Sequence, residues 1–244
     1  MTAEILQEHE IIWKKKPVLR AIYHSYYQKI LRFTKTGTTL EIGGGTGNLK
    51  QYLANVISTD IVQTPMLDAT CDAHALPFKD ESFDNIIAVD ALHHFESPIR
   101  FFNEAKRILR KGGRIILLDP AITLMSHPFY HFFHSEPVIT NINPLTNTNL
   151  SPNRKPFDAN QAIPELMFGK YKNDFLAIFP EFFILKKQYL SLWAYPLSGG
   201  FRKWSLIPSF CVNVLLKIES VIEKFIGKFL GFRIFVVIEK KNHL

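Results

Sequence analysis

Cysteine is scarce: 244 residues contain two, Cys71 and Cys211. Two distant thiols make neither a disulfide framework nor a four-ligand zinc set, which predicts a reducing compartment. No uncharged apolar run reaches the roughly 18 residues that a membrane-crossing helix needs. The opening MTAEILQEHE is acidic and polar, unlike a signal peptide. The expectation is a cytoplasmic protein, soluble or peripheral at the inner membrane face. Internal repeats and low-complexity segments are missing too. Acidic residues run short only in the second half. Up to Ile122 there are 15 basic and 14 acidic side chains, and from Thr123 onward 14 and 8, so most of the net charge of +7 sits there. Such a half suits an anionic partner, membrane surface or nucleic acid, or else a solvated lysine face. Apolar residues are plentiful, 47% of the chain with 21 Phe among them, which indicates a globular core.

Hydrophobic patterning predicts strands at TTLEIG, VISTDI, FDNIIAVDAL, RIILLDP, FFILKKQYLSLW and RIFVVIEK, with a weaker one at MLDATCDA. Helices are predicted from Pro17 through PVLRAIYHSYYQKILRF, over TGNLKQYLAN, over SPIRFFNEAKRILRKGG, over SHPFYHFFHSE, over NQAIPELMFG and from Ser209 to Phe229. In the third of these, Ser97 stands at the N-cap, Arg107, Arg110 and Lys111 meet the dipole, and Gly112 and Gly113 stop it. Residues 137–158, rich in Asn, Pro, Thr and Ser, read as a long binding loop or lid. Strand–helix alternation predicts a Rossmann-like, seven-stranded, mostly parallel sheet with helices on both faces. Its last strand is antiparallel, and an aromatic-rich insertion follows the core.

The stretch LEIGGGTGNLK, residues 40–50, carries the chemistry. Glycines between a strand and a helix let a ligand approach the backbone with no Cβ in the way. The dinucleotide fingerprint fails because Asn48 stands where its last glycine belongs. The phosphate-cradling loop fails because Lys50 follows Leu49. What remains is Glu41, Gly43, Gly45 and Gly47 in an E-x-G-x-G-x-G arrangement.

That arrangement resembles the first motif of the class I S-adenosylmethionine-dependent methyltransferases, in the small-molecule branch with a type 11 methyltransferase domain. The resemblance spans residues 38–120. It includes Asp60 at the end of the second strand, CDAHALPF at 71–78, DESFDNIIAVDALHHF and EAKRILRKGGRIILLDP. It implies S-adenosyl-L-methionine as cofactor, leaving as S-adenosyl-L-homocysteine. By this resemblance Asp60 holds both ribose hydroxyls, Asp72 accepts from the adenine amino group and the Ala73 backbone lies against the ring. Glu41 supports the turn or the cofactor's ammonium. Gly43, Gly44, Gly45, Gly47, Asn48, Ile61, Asp90 and Ala91 complete the cofactor set. The implied reaction is an in-line displacement driven mainly by proximity.

The acceptor side is read with fewer landmarks. His94 and His134 are the candidate catalytic bases, and Tyr27, His93, His131, Glu136 and Asp158 the candidate acceptor-binding residues. No metal-ligand spacing stands out, so no metal is expected. Phe129, Tyr130, Phe132, Phe133, Phe168, Tyr171, Phe175, Phe179, Phe182 and Phe183 pack a core or line an apolar pocket. Along the helix from Ser209 to Phe229, Asn213, Lys217, Ser220, Lys224 and Lys228 form a narrow polar stripe. Its broad apolar face suits burial against the sheet, with membrane contact as the other reading.

One domain is expected, with N-terminal helices at 1–36, the cofactor core at 37–120, the acceptor region at 121–230 and a final strand and tail at 231–244. The function expected is methyl transfer to a small hydrophobic or lipid-linked acceptor such as a quinone, polyketide, lipid or lipid-carried sugar. The alternatives are a nucleic-acid methyltransferase, against which DALHHF stands where a base-amino motif would be, and a non-catalytic S-adenosylmethionine-binding protein.

Overall fold

Side-chain alternation along the strands divides the core in two. Ile86, Ala88, Ile115, Leu117, Ile234 and Val236 point to one face, and Ile87, Ile116, Leu118, Phe235 and Val237 to the other. A strand greasy on both sides must be covered on both sides. The computed structural model, which describes residues 2–146, 150–151 and 153–242, shows how.

Seven strands, β1 (Thr39–Ile42), β2 (Val56–Asp60), β3 (Ala69–Thr70), β4 (Phe83–Val89), β5 (Leu109–Pro120), β6 (Phe182–Leu190) and β7 (Arg233–Lys240), form one sheet in the order β3-β2-β1-β4-β5-β7-β6. β1 to β5 run parallel, and β7 runs antiparallel to both β5 and β6. One face is covered by α3 (Pro98–Ile108) and α6 (Lys172–Ile178), whose Phe101, Phe102 and Phe175 join Phe168, Phe179 and Phe182 in a packed aromatic cluster. On the other lies α2 (Pro17–Leu31), burying Leu19, Ile22, Tyr23, Tyr26 and Ile30. α1 (Thr2–Lys15) precedes it. Lys16, between the two, donates from its ammonium to the carbonyls of Gly200, Arg202 and Trp204, tying the 199–204 loop beside α1. The remaining helices are α4 (Ser126–Phe133), α5 (Ile163–Glu165, continuing as a π-turn to Lys170), α7 (Ala194–Ser198) and α8 (Val212–Leu230).

Four expectations change. The helix after the glycine turn shrinks to a single tight turn, Asn48–Gln51. α3 stops at Ile108, and Arg110, Lys111, Gly112 and Gly113 already lie in β5; Arg110 pairs with Asp84 instead of capping the helix. Ser97 takes the N-cap position of α3, but its hydroxyl makes no capping bond.

The fourth concerns α8, only part of whose broad apolar face is buried: Leu215 and Leu216 pack against the core, and the other apolar residues share the helix with inward acids. Its buried stripe is Val212, Glu219, Glu223 and Gly227. Glu219 accepts from the backbone N–H groups of Trp193 and Ala194, capping the start of α7. Glu223 pairs with Lys29 at 2.8 Å. At Gly227 a Cβ would lie 2.8 Å from the Tyr189 carbonyl oxygen, so only glycine allows this close approach to β6. The acids and the glycine therefore share the inward face with Val212, Leu215 and Leu216. Phe210, just before the helix, and Val214, Ile218, Val221, Phe225 and Phe229 are left in solvent, Phe225 at 77% exposure.

Candidate active site

In a parallel sheet the strands end on one side, and ligands bind where the strand order reverses. Here that point lies between β1 and β4. Asp60, Asp90 and Asp119 all arrive there, at the ends of β2, β4 and β5. A cavity of about 950 Å³ opens at this edge. It is at the upper end of the usual roughly 300–1,000 Å³ for a small-molecule site.

The glycine turn forms one wall. Gly43 has φ +71°, and a Cβ there would sit 2.6 Å from that of Ala91, so the position excludes any larger residue. The carboxylate of Asp60 accepts from the N–H of Gly45 and from that of Val62, both at 3.0 Å, one on each oxygen. Each oxygen keeps a lone pair for a ligand hydroxyl. Asp72 accepts from the His74 backbone at 2.9 Å and meets the His74 ring at 2.6 Å through the same oxygen, Oδ1. The turn itself supplies no cation for a phosphate, since Lys50 pairs with Asp68 at 2.7 Å. A bare backbone bend with carboxylates and no free cation fits the hydroxyls and ammonium of S-adenosylmethionine.

Glu41 is buried beneath the turn and accepts a bond from the Ser58 hydroxyl. Burial raises its pKa to about 7, against a partial lowering by Ser58. The folded state thus holds this proton more tightly than the unfolded chain, whose glutamates titrate near 4.5. Stability from this group is greatest below pH 4.5, falls as the pH rises to 7 and is flat above. The change is on the order of 3 kcal/mol. Denaturant unfolding of Glu41→Gln and wild type, without ligand, is expected to show the variant gaining on wild type between pH 5 and pH 8. A difference independent of pH would contradict the assignment.

Asp90 adopts φ +54°, a costly conformation for a non-glycine residue. Its carboxylate is held by Arg233 and by the Tyr23 hydroxyl at 2.7 Å. Arg233 is buried and lies over the Tyr195 ring, 4.0 Å from its centroid. The side chain of Asp90 is thus committed to a structural pair.

Across the cavity, His93 Nδ1 lies 2.8 Å from buried Asp119, and its Nε2 lies 3.5 Å from Glu136. Burial opposes charge on His93, yet the two carboxylates outweigh it and raise its pKa to about 9. His94, lowered to about 4 by burial and by its charged neighbour His93, is neutral. Glu136 also accepts a bond from the Gln161 side-chain amide. His134 Nδ1 accepts from the Glu136 backbone N–H at 3.3 Å.

The cavity brings together nearly all the residues singled out from the sequence: Glu41, Gly43, Gly44, Gly45, Asn48, Asp60, Ile61, Asp72, Ala73, Asp90 and Ala91 with Tyr27, His93, His94, His134, Glu136 and Asp158. Two fall outside its lining. Gly47 faces the Met66 backbone, where a Cβ would meet the carbonyl oxygen at 3.0 Å. His131 is turned to solvent beside the Phe132 ring, because α4 points Phe129 and Tyr130 inward instead. Of the predicted aromatic lining, Phe129, Tyr130 and Phe133 reach the cavity, whereas Phe168, Phe175, Phe179 and Phe182 are core. Sequence reasoning missed Leu6 and His9 of α1, Tyr195, Arg233 and the Asp119 partner of His93. His9 stacks on Phe201 with ring centroids 4.3 Å apart, so α1 and the 199–204 loop close the cavity together. Only the D of LLDP gave a signal, as a polar residue ending an apolar strand.

Comparison with known proteins bears on the same segment. Residues 40–117 match the family described as a methyltransferase domain. An uncharacterized protein of Methanocaldococcus jannaschii is 35% identical over 104 residues, 39% of this chain and 51% of that protein. A ubiquinone/menaquinone biosynthesis C-methyltransferase of a Ruegeria species is 32% identical over 102 residues, 33% of this chain and 41% of the enzyme. The chain thus spans about half the length of these curated relatives, or less. Among solved structures, a methyltransferase of Thermotoga maritima dependent on S-adenosylmethionine superposes with a TM-score of 0.60 at 20% identity, covering 98% of both chains. Fold, glycine turn and matched segment agree: residues 40–117 are similar to a methyltransferase domain, and the chain has the fold of an S-adenosylmethionine-dependent methyltransferase.

Proposed function

We propose that this protein transfers the methyl group of S-adenosylmethionine to an apolar acceptor taken from a membrane surface. One observation carries the reading: the cavity floored by the glycine turn is rimmed at its far side by an exposed apolar collar. Phe133 and Trp204 belong both to the cavity lining and to that collar. Phe132, Leu124, Met125 and Leu206 extend it, and Met125 N–H bonds to the Phe229 carbonyl at the end of α8. The α8 face with Phe210, Val214, Ile218 and Phe225 continues the surface. Lys217, Lys224 and Lys228 are exposed beside it, while both glutamates of α8 are buried. An apolar face flanked by cations, with no acid offered to solvent, matches an anionic lipid surface. No helix among the described residues is long and apolar enough to cross a membrane, so the contact is interfacial.

In this reading residues 37–120 hold the cofactor, Asp60 on the ribose hydroxyls and Asp72 on the adenine amino group. Residues 121–230 supply His134, Glu136 and Asp158 to the acceptor, which they hold against Tyr27 of α2 and His93 and His94 beyond β4. The chain's part in the chemistry is to align the acceptor and exclude water. Labelled S-adenosylmethionine incubated with protein and a cell lysate is expected to place label in the lipid-extractable fraction. Label in RNA would overturn the acceptor class, and cofactor binding without turnover would overturn the enzyme. Wild type is expected to sediment with phosphatidylglycerol-containing vesicles. Phe210→Glu combined with Phe225→Glu should weaken that at least about tenfold, since each removes an exposed aromatic that the lipid would bury. Equal sedimentation of wild type and variant would refute the docking face.

A further inference from the structure

The geometry points to a divalent transition-metal site of the zinc class formed by His93, His94 and Glu136 on the acceptor side of the cavity. One ligand atom from each of the three lies within 4.8 Å of the others. Their spacing is that of ligands around an ion more than of a direct bond. His93 Nε2 and Glu136 Oε2 are 3.5 Å apart, longer than a good hydrogen bond. Two atoms at that separation, each about 2.1 Å from a common ion, subtend roughly 110–115°, close to the tetrahedral angle zinc prefers. Tetrahedral ligands with such bonds lie about 3.4 Å apart, so any pair near the 4.8 Å limit would draw in by roughly 1 Å or more on binding.

The outer contacts are those that metal ligands need. A ligating histidine donates its other ring N–H to a carboxylate, which fixes the ring and aims its free nitrogen. Asp119, buried at the end of β5, holds His93 Nδ1 at 2.8 Å and so aims Nε2 at Glu136. Gln161 donates to Glu136 and fixes that carboxylate in turn. His134 is not a ligand, because its Nδ1 already accepts from the Glu136 backbone. Two imidazoles and one carboxylate favour zinc or a neighbouring first-row dication over magnesium or calcium, which take oxygen ligands. Three protein ligands leave at least one coordination position open, the pattern of reactive and not structural sites. All three residues line the cavity. Resting on the methyl-transfer reading, that open position would take an oxygen of the acceptor and lower its pKa.

Metal binding is measured without cofactor or acceptor, so its outcome is independent of the methyl-transfer reading. The full chain, stripped with chelator, is titrated with Zn²⁺ by calorimetry and with Co²⁺ by visible absorption. One equivalent is expected, with the intense bands of four- or five-coordinate cobalt. His94→Ala and Glu136→Gln, both at partly exposed positions, should each weaken binding at least about tenfold, with circular dichroism as the fold control. Asp119→Asn should weaken it by roughly 10–100-fold through His93. Absence of saturable binding, or equal affinity in wild type and Glu136→Gln, would overturn the site.

Discussion

Replacing Asp60 by alanine is expected to weaken S-adenosylmethionine binding by about a hundredfold or more without unfolding the protein. The carboxylate sits at the end of β2 with one backbone N–H on each oxygen, Gly45 on one and Val62 on the other. Those bonds aim it into the cavity and leave it free to accept two hydroxyls. A hydrogen bond to a charged group contributes roughly 1.5–3 kcal/mol, and two of them amount to about 10²–10⁴ in the dissociation constant. Asp60→Asn keeps one acceptor oxygen and should fall between alanine and wild type. Calorimetric titration with circular dichroism as the fold control measures both. An unchanged affinity in Asp60→Ala would remove the residue from the cofactor site.

The largest stability effect is expected at Arg233. Its guanidinium is buried between Asp90 and the Tyr195 ring. Removing one partner of such a pair typically costs about 3–5 kcal/mol, because the other charge stays behind unpaired. Asp90 retains 27% side-chain exposure, so the lower end applies here. For a chain of this size, Arg233→Met should lower Tm by roughly 6–12 °C. Asp90→Asn in the same chain removes the stranded charge and should recover much of that loss. The thermal double-mutant cycle reads the coupling directly. Strict additivity would show that the pair contributes nothing beyond its separate side chains.

How much of this was legible in the sequence depends on how local each cause is. The turn at Gly43 to Gly47 is written in adjacent residues, and so is the placing of Asp60 and Asp72 at strand ends. Continuous apolar runs bounded by polar residues, FDNIIAV and RIFVVIEK, likewise gave the sheet. α8 was misread for a physical reason. Its inward face is set by what α7, β6 and Lys29 require of it: a carboxylate for two free N–H groups, a counter-charge and a glycine for close approach. None of those needs is visible along the helix, where eleven apolar residues suggest burial. The His93 arrangement was hidden in another way. Asp119 is 26 residues away on a neighbouring strand, and Glu136 comes from beyond α4. Only the register of β4 on β5 brings the first pair together. The helix predicted after Gly47 fails because Asn48 bonds to the Thr46 hydroxyl and the chain turns again within four residues.

The central claim is that the bare turn and its aspartates hold a sulfonium nucleoside. Calorimetric titration of the wild-type chain with S-adenosylhomocysteine, beside a parallel titration with a nicotinamide dinucleotide, tests it most directly. One equivalent of the first and no heat from the second is the expected result. Saturable uptake of the dinucleotide, with none of the homocysteine nucleoside, would contradict the account.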